Sequence, residues 1–220
     1  MPEFKRDSNK KSTVIVCLCF LVLTFVQCTS YRNHAILQNG DMLFVTAKET
    51  GLSGAINNVT QKQKEASFDH IGIVEQKGRR FFVLHAAPKG GSQKQVLRTF
   101  VKEQEMEGQK VIVYRLKPEY RKAIPPAVKK ANQMLGKPYN FNYILNENSY
   151  YCSDFIERAF RENHIFTLEP MTFIDPETGK INVFWEEFYK KKNLKVPEGE
   201  PGCNPNGLAG SDKLERIREL

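Results

Sequence analysis

The chain lacks an apolar run long enough to span a membrane as a helix. Its longest, Val14 to Val26, is thirteen residues interrupted by Thr24, whereas a bilayer needs about 20. It lacks the tight Cys-x-x-Cys or His-x-x-x-His spacings of a structural zinc site. It also lacks a basic stripe. The formal charge is +8, of which the segment before Cys28 supplies +2 (Lys5, Arg6, Lys10 and Lys11 against Glu3 and Asp7), and the remaining +6 is dispersed apart from Lys190-Lys191-Lys192. Without a clustered stripe or a recognisable motif, nucleic-acid binding is not expected. Mild basicity suits attraction to anionic lipid or a cell-wall polymer at least as well. Internal repeats and low-complexity blocks are missing too. What remains is an ordinary globular composition in a 220-residue chain, enough for one domain with a real core.

The N-terminus reads as an export segment. Lys5, Arg6, Lys10 and Lys11 form a positive region ahead of the thirteen-residue apolar run, and Gln27-Cys28-Thr29-Ser30 follow directly. That length fits a signal-peptide core. A cysteine directly after it resembles a bacterial lipoprotein signal, with cleavage before Cys28 and lipidation of that residue, although Phe25-Val26-Gln27 lacks the usual small residues. An ordinary cleaved signal and a retained anchor are the alternatives. All three export the domain, and the expected organisation is a signal over 1–28 and a single domain over 29–220, in the cell envelope.

Cysteine is scarce. Of five, Cys17 and Cys19 lie in the apolar run and Cys28 follows it, so the domain keeps Cys152 and Cys203. A disulfide between them would consume the more interesting one. Unpaired thiols in an exported protein suggest that at least one serves chemistry. Cys203, in a Pro/Gly-rich tail, reads as a tolerated surface thiol.

The pattern along the chain predicts a small antiparallel sheet followed by helices. Met42 to Val45 is a short strand after Gly40-Asp41, and Ala55 to Gln63 suits a helix. Phe68 to Val74 and Arg80 to Ala86 flank a Lys77-Gly78-Arg79 turn and read as a hairpin. In the first of these strands His70, Gly72 and Val74 share one face, Ile71 and Ile73 the other. Val96 to Val101 and Lys110 to Leu116 read as further strands. Pro125-Pro126 opens a helix that Gly136 and Pro138 end. A second helix starts at Cys152 and runs to about Asn163, with Ser149 as its N-cap and a stripe of Phe155, Ile156, Ala159 and Phe160. Pro176-Glu177-Thr178-Gly179 reads as a turn between Phe173-Ile174 and Ile181 to Phe184, and Trp185 to Lys192 as a short amphipathic helix.

Cys152 is the candidate nucleophile. A thiolate attacks and a thiol does not. The free N–H groups and dipole of a helix N-terminus lower a thiol's pKa, and a histidine in reach lowers it further. The same N–H groups can hold the oxyanion of an acyl intermediate. His70 is the candidate base, and His85, on the next strand, the candidate orienting group. Taken singly, each of these residues is more often a core residue than a catalytic one. Zinc held by Cys152, His70 and His85 is a weaker reading, and no metal or other cofactor is expected.

Together the residues resemble a family. His70-Ile71-Gly72-Ile73-Val74, a turn, and Leu84-His85-Ala86 look like the base-strand hairpin of NlpC-type cysteine hydrolases. Gly136-Lys137-Pro138-Tyr139, a loop, and Cys152-Ser153-x-Phe155 look like their nucleophile segment. The order is reversed relative to the common arrangement. It resembles the circularly permuted papain-like branch of YiiX/YaeF-like proteins and, more distantly, lecithin:retinol acyltransferase. Gly40 to Phe44 and the tail Gly199 to Pro205 are similar to that branch as well. The resemblance implies an α+β papain-like fold with an antiparallel sheet packed on the nucleophile helix. It implies Cys152 as nucleophile, His70 as base, His85 as third residue and Tyr139 beside the oxyanion, with Asp69 and Ser153 lining the pocket. Two departures are His85, where the branch often carries Glu, and Cys203, where it often has a small hydroxyl residue.

The expected activity is cleavage of a peptide-like amide through a thioester. A lipid-directed acyltransferase or thioesterase and a non-catalytic binding module are the rivals. A long apolar groove beside Cys152 favours a lipid-linked acyl substrate, and a short polar cleft a peptide.

Overall fold

The computed structural model describes residues 37–49, 51–60 and 67–220. The expected signal segment 1–28, with its Cys28, lies outside these residues, as does the end of the helix expected to reach Gln63. Among the described residues no helix is long and apolar enough to cross a membrane.

Gln38–Leu220 forms one unit built on a six-stranded antiparallel sheet. The strands are β1 (Met42–Thr46), β2 (Phe68–Lys77), β3 (Arg80–Ala87), β4 (Gly91–Val96), β5 (Val111–Leu116) and a late strand, Leu214–Glu219, in the order β4-β3-β2-β1-β5-late strand. Helix α1 (Gly51–Thr60) follows β1, and α2 (Leu97–Met106) follows β4. Helix α3 (Ile124–Gln133) and helix α4 (Cys152–Phe160), which carries Cys152 at its start, form a pair packed on the sheet. After them come the two-residue β6 (Glu169–Pro170), α5 (Val183–Lys190), β7 (Pro201–Gly202), which pairs with β6, α6 (Pro205–Ala209) and the late strand, β8.

One sheet face carries Met42, Phe44, Ile71, Ile73 and Leu84, buried with Ala127 and Ala131 of α3 and Phe155, Ile156 and Ala159 of α4. Burial of such side chains contributes roughly 1.5–3 kcal/mol each, so this layer fixes α4 on the sheet. A buried ion pair ties the start of β1 to β5: Asp41 takes Arg115 Nε at 2.7 Å and Nη2 at 2.9 Å.

Four expectations are corrected. Val96 to Val101 is not a strand: β4 ends at Val96 and α2 begins at Leu97. The β-branched Val96, Thr99 and Val101 suggest extension, but the residues that α2 buries, Leu97 and Phe100, are three apart, a helical interval. Ser149 does not cap α4. Its Oγ bonds Asn146 Oδ1 at 3.1 Å, and the cap position is Tyr151, which makes no side-chain cap. Helix α4 stops at Phe160 and passes into a 3-10 turn, Arg161–Asn163. Ile181 makes only an isolated bridge to Ile174 before α5 begins at Val183. The charged C-terminal end, for its part, supplies β8, which pairs with β5.

Candidate active site

The site lies where the sheet splits. The ladder between β2 and β3 runs from Lys77↔Arg80 to Ile73↔Leu84 and goes no further, while β3 continues pairing with β4 as far as Ala87↔Gly91. Val74 spends its backbone groups on the β1 side, accepting from Gly40 and donating to Asp41, both at 2.8 Å. Antiparallel alternation therefore turns the backbone of Ile71 toward β3, where no strand meets it. A register shift at Val45/Thr46 loosens the same end of β2.

The start of α4 fills this gap. Cys152 Sγ donates to the carbonyl oxygen of Asp69 at 3.8 Å, and the Ile71 N–H acts on the sulfur. Because Tyr151 provides no capping side chain, the N–H groups of Cys152 and Ser153 also face the thiol. Cys152 is only 4% exposed.

The histidines cross the gap. His70 Nε2 and His85 Nδ1 are 2.8 Å apart, one from β2 and the other from β3. Gly72 makes the approach possible, since a Cβ there would meet Val83 Cγ1 at 2.5 Å and His85 Cβ at 3.2 Å. Phe100 of α2 covers the pair, its ring centroid 5.1 Å from His85 and 6.1 Å from His70. Sequence reasoning missed Phe100 because it placed the residue in a strand. With Nε2 committed to His85, Nδ1 is the His70 nitrogen left for the thiol. No hydrogen bond joins Cys152 Sγ to His70 in this state, and such bonds often tighten only around a substrate.

The electrostatics overturn one expectation. Burial pushes the Cys152 thiol up to about 12, and the charge of Asp69 adds to the rise, against the lowering by the Ser153, Ile71 and Cys152 N–H groups. Burial and then the charge of His85 lower His70 to about 3, and burial lowers His85 to about 4. The helix end acts in the anticipated direction but loses to desolvation. Burial thus favours a neutral thiol and neutral imidazoles over an ion pair.

Tyr139 lines the cavity beside Cys152. It bridges to Tyr150, with Asn140 N–H donating to the Tyr150 carbonyl at 3.0 Å and Tyr150 N–H to the Pro138 carbonyl at 3.1 Å. Ser92 clamps the approach to this bridge: its Oγ donates to the Met134 carbonyl at 2.7 Å and accepts from Lys137 N–H at 2.8 Å. Burial raises the Tyr139 phenol, with Cys152 and Tyr143 adding to the rise.

Asp69 and Ser153 both line the cavity beside Cys152. The Asp69 carboxylate accepts from Ser53 and from Gln109 Nε2, and burial raises its pKa. Ser153 Oγ donates to the Cys203 carbonyl at 3.1 Å. Cys203 also lines the cavity rather than the open surface, and both it and Cys152 are free thiols. The cavity has a volume of about 470 Å³; Ile56, Tyr143, Phe166, Met171, Phe173 and Trp185 give it an apolar, aromatic part, and Glu169, Asn204, Asp212 and Lys213 a polar one. Among the described residues no group of three or more His, Cys, Asp or Glu side chains converges as a metal-ligand set.

Comparison with curated proteins finds no match. Among solved structures, the chain is similar to one titled the crystal structure of metalloprotein YiiX from Escherichia coli O157:H7, at 20% identity and a TM-score of 0.65, over 83% of this chain and 97% of that one. At that identity the likeness speaks for the fold. The family described as permuted papain-like amidase enzyme, YaeF/YiiX, C92 family, matches residues 36–218. In this chain the histidine hairpin precedes the cysteine helix. The chain belongs to the permuted papain-like amidases of the YaeF/YiiX, C92 family.

Proposed function

We propose that Cys152, His70 and His85 form the catalytic site of a cysteine amidase whose substrate carries an apolar acyl group. The observation that carries the reading is the His70–His85 hydrogen bond spanning the gap into which Cys152 Sγ is inserted. Donation from His70 Nε2–H to His85 Nδ1 leaves Nδ1 unprotonated, as a base must be. With so high a thiol pKa, the proton passes to His70 Nδ1 as sulfur attacks the carbonyl carbon, not before. The N–H groups of the α4 end and the Tyr139 hydroxyl hold the oxyanion. His70 then protonates the leaving nitrogen, the amine departs, and a thioester remains on Cys152. Water, losing a proton to His70, attacks the thioester, and the acid leaves as the thiol is restored.

The cavity wall favours the lipid-linked rival on substrate, not on chemistry. An acyl chain gains by burial against Phe166, Phe173 and Trp185, while Glu169, Asn204 and Lys213 of the same cavity can pair with the polar part of the substrate. We propose further that the segment 1–28 exports the domain and that Cys28 anchors it by lipid to the cell envelope. Mass spectrometry of the N-terminal peptide tests this, and an unmodified Cys28 in membrane fractions rejects it.

The test of the site is an acyl probe. Incubation with a fatty-acyl p-nitroanilide and mass spectrometry of the quenched enzyme should show an acyl adduct on Cys152 in the wild type and none in Cys152→Ala or His70→Gln. Hydrolysis that survives Cys152→Ala rejects the assignment, and turnover confined to short polar peptide anilides rejects the acyl specificity.

A further inference from the structure

Tyr143 holds a hydroxyl that the fold leaves unpaired. Its ring is 8% exposed and its Oη is buried without a hydrogen-bond partner. The polar groups around it do have partners. Tyr189 Oη donates to the Asn142 carbonyl at 2.9 Å, Trp185 Nε1 donates to the Ala55 carbonyl at 3.3 Å, and Tyr151 Oη accepts from Cys203 N–H at 3.3 Å. A buried phenol normally finds a partner, and leaving one out is costly. Phenylalanine would fill the same space without that cost.

The backbone makes the placement more specific. Tyr143 has φ +56°, a left-handed conformation in a residue other than glycine, retained only where the surroundings over-determine it. Asn140 Nδ2 pins the loop by donating to the Ile144 carbonyl at 2.7 Å, and the Tyr189 bond holds Asn142. The ring packs edge-on against Tyr139, Tyr151 and Trp185. Tyr143 lines the same cavity as Cys152 and Tyr139; burial and then the charge of Cys152 raise its phenol's pKa, and the approach of the Tyr139 hydroxyl lowers it.

We infer that Tyr143 is a positioning residue for the oxyanion site: when a substrate carbonyl enters, its hydroxyl donates to Tyr139 Oη and so aims the Tyr139 proton at the developing oxyanion. This rests on the function proposed above. In the resting site no oxyanion holds Tyr139 in place, and the Tyr143 hydroxyl waits unpaired. The two phenols then act as a unit, with Tyr143 never touching substrate.

The test uses the full-length chain and hexanal, an aldehyde whose carbonyl carbon is attacked by Cys152 Sγ as the thiol proton passes to His70, giving a hemithioacetal whose oxygen sits in the oxyanion site without any turnover. Hexanal affinity is read as protection of Cys152 from iodoacetamide, by mass spectrometry. Alkylation itself forms no oxyanion, so its rate in Tyr143→Phe should equal that of the wild type. Hexanal affinity should fall about tenfold, the lower range for losing an oxyanion donor. With a fatty-acyl p-nitroanilide, kcat should fall similarly at unchanged KM, and Tyr139→Phe/Tyr143→Phe should be no worse than Tyr139→Phe alone. The melting temperature of Tyr143→Phe should not drop, because the lost hydroxyl had no partner. Wild-type hexanal affinity in Tyr143→Phe, single losses that multiply in the double variant, or no hexanal protection of the wild type would each overturn the inference. Failure of the wild type to cleave the anilide bears on the amidase reading alone, since the aldehyde result stands without it.

Discussion

Gly72 and His85 occupy each other's space. A methyl group on residue 72 would come within 3.2 Å of His85 Cβ and 2.5 Å of Val83 Cγ1. Gly72→Ala should therefore push β3 outward and break the His70–His85 bond. Overpacking of this kind costs about 1–3 kcal/mol, and the expected result is a lower melting temperature together with a loss of amide hydrolysis. A Gly72→Ala enzyme with wild-type kcat would show that the histidine pair is not needed.

Acid should destabilise the fold through the same pair. His70 and His85 have folded pKa values of about 3 and 4, below the unfolded value near 6.5. The unfolded chain thus takes up protons that the folded one refuses. Their stabilising contribution is complete above pH 6.5 and is lost as pH falls toward 4. Asp154 acts in the opposite sense: burial holds its carboxyl up near 6, so its protonation favours the fold over part of that range. Thermal melts between pH 7 and 4 should show a steeper acid loss in Asp154→Asn and a shallower one in His70→Gln/His85→Gln. A double histidine variant with the wild-type slope would contradict this.

The thiol should be slow to alkylate at neutral pH. Burial and the Asp69 charge hold Cys152 near 12, so iodoacetamide should label it far more slowly than a free cysteine peptide, with a rate that still climbs above pH 9. Asp69→Asn removes the like charge and should move the profile to lower pH. A plateau reached at pH 7 would mean that the resting thiol is already ionised.

Phe100 should set the histidine titration. Its ring lies on both imidazoles, so Phe100→Leu should admit water, weaken the desolvation and move both pKa values up toward 6.5. Imidazole proton shifts in NMR measure this directly. Phe100→Ala opens a larger void and should cost about 3–5 kcal/mol in stability.

The hairpin that carries His70 and His85 was readable because period-two alternation and a Gly turn are local signals, and the observed ladder runs through that turn. Helix α3 was readable for the same kind of reason, with two prolines in its first turn. The split between β2 and β3 was not, since it depends on where α4 docks. The thiol's high pKa was also out of reach: the helix start is written locally at Tyr151-Cys152, but the burial that outweighs it is tertiary. Phe100 was hidden by β-branched neighbours. Tyr143 carries no local mark at all, because its interest lies in a missing partner. β8 escaped notice because Glu215, Arg216, Arg218 and Glu219 look like a solvated tail, whereas such charges are well suited to a strand at the sheet edge.

The parted strands have a consequence beyond catalysis. Backbone groups left over at the open end of β2 are an invitation to a foreign strand, and Cys152, at the start of α4, covers those of Asp69 and Ile71. The helix that delivers Cys152 therefore also keeps the sheet from self-association. Any change that loosens its seat on Ile71 and Ile73 should appear first as aggregation under mild heating, before secondary structure is lost.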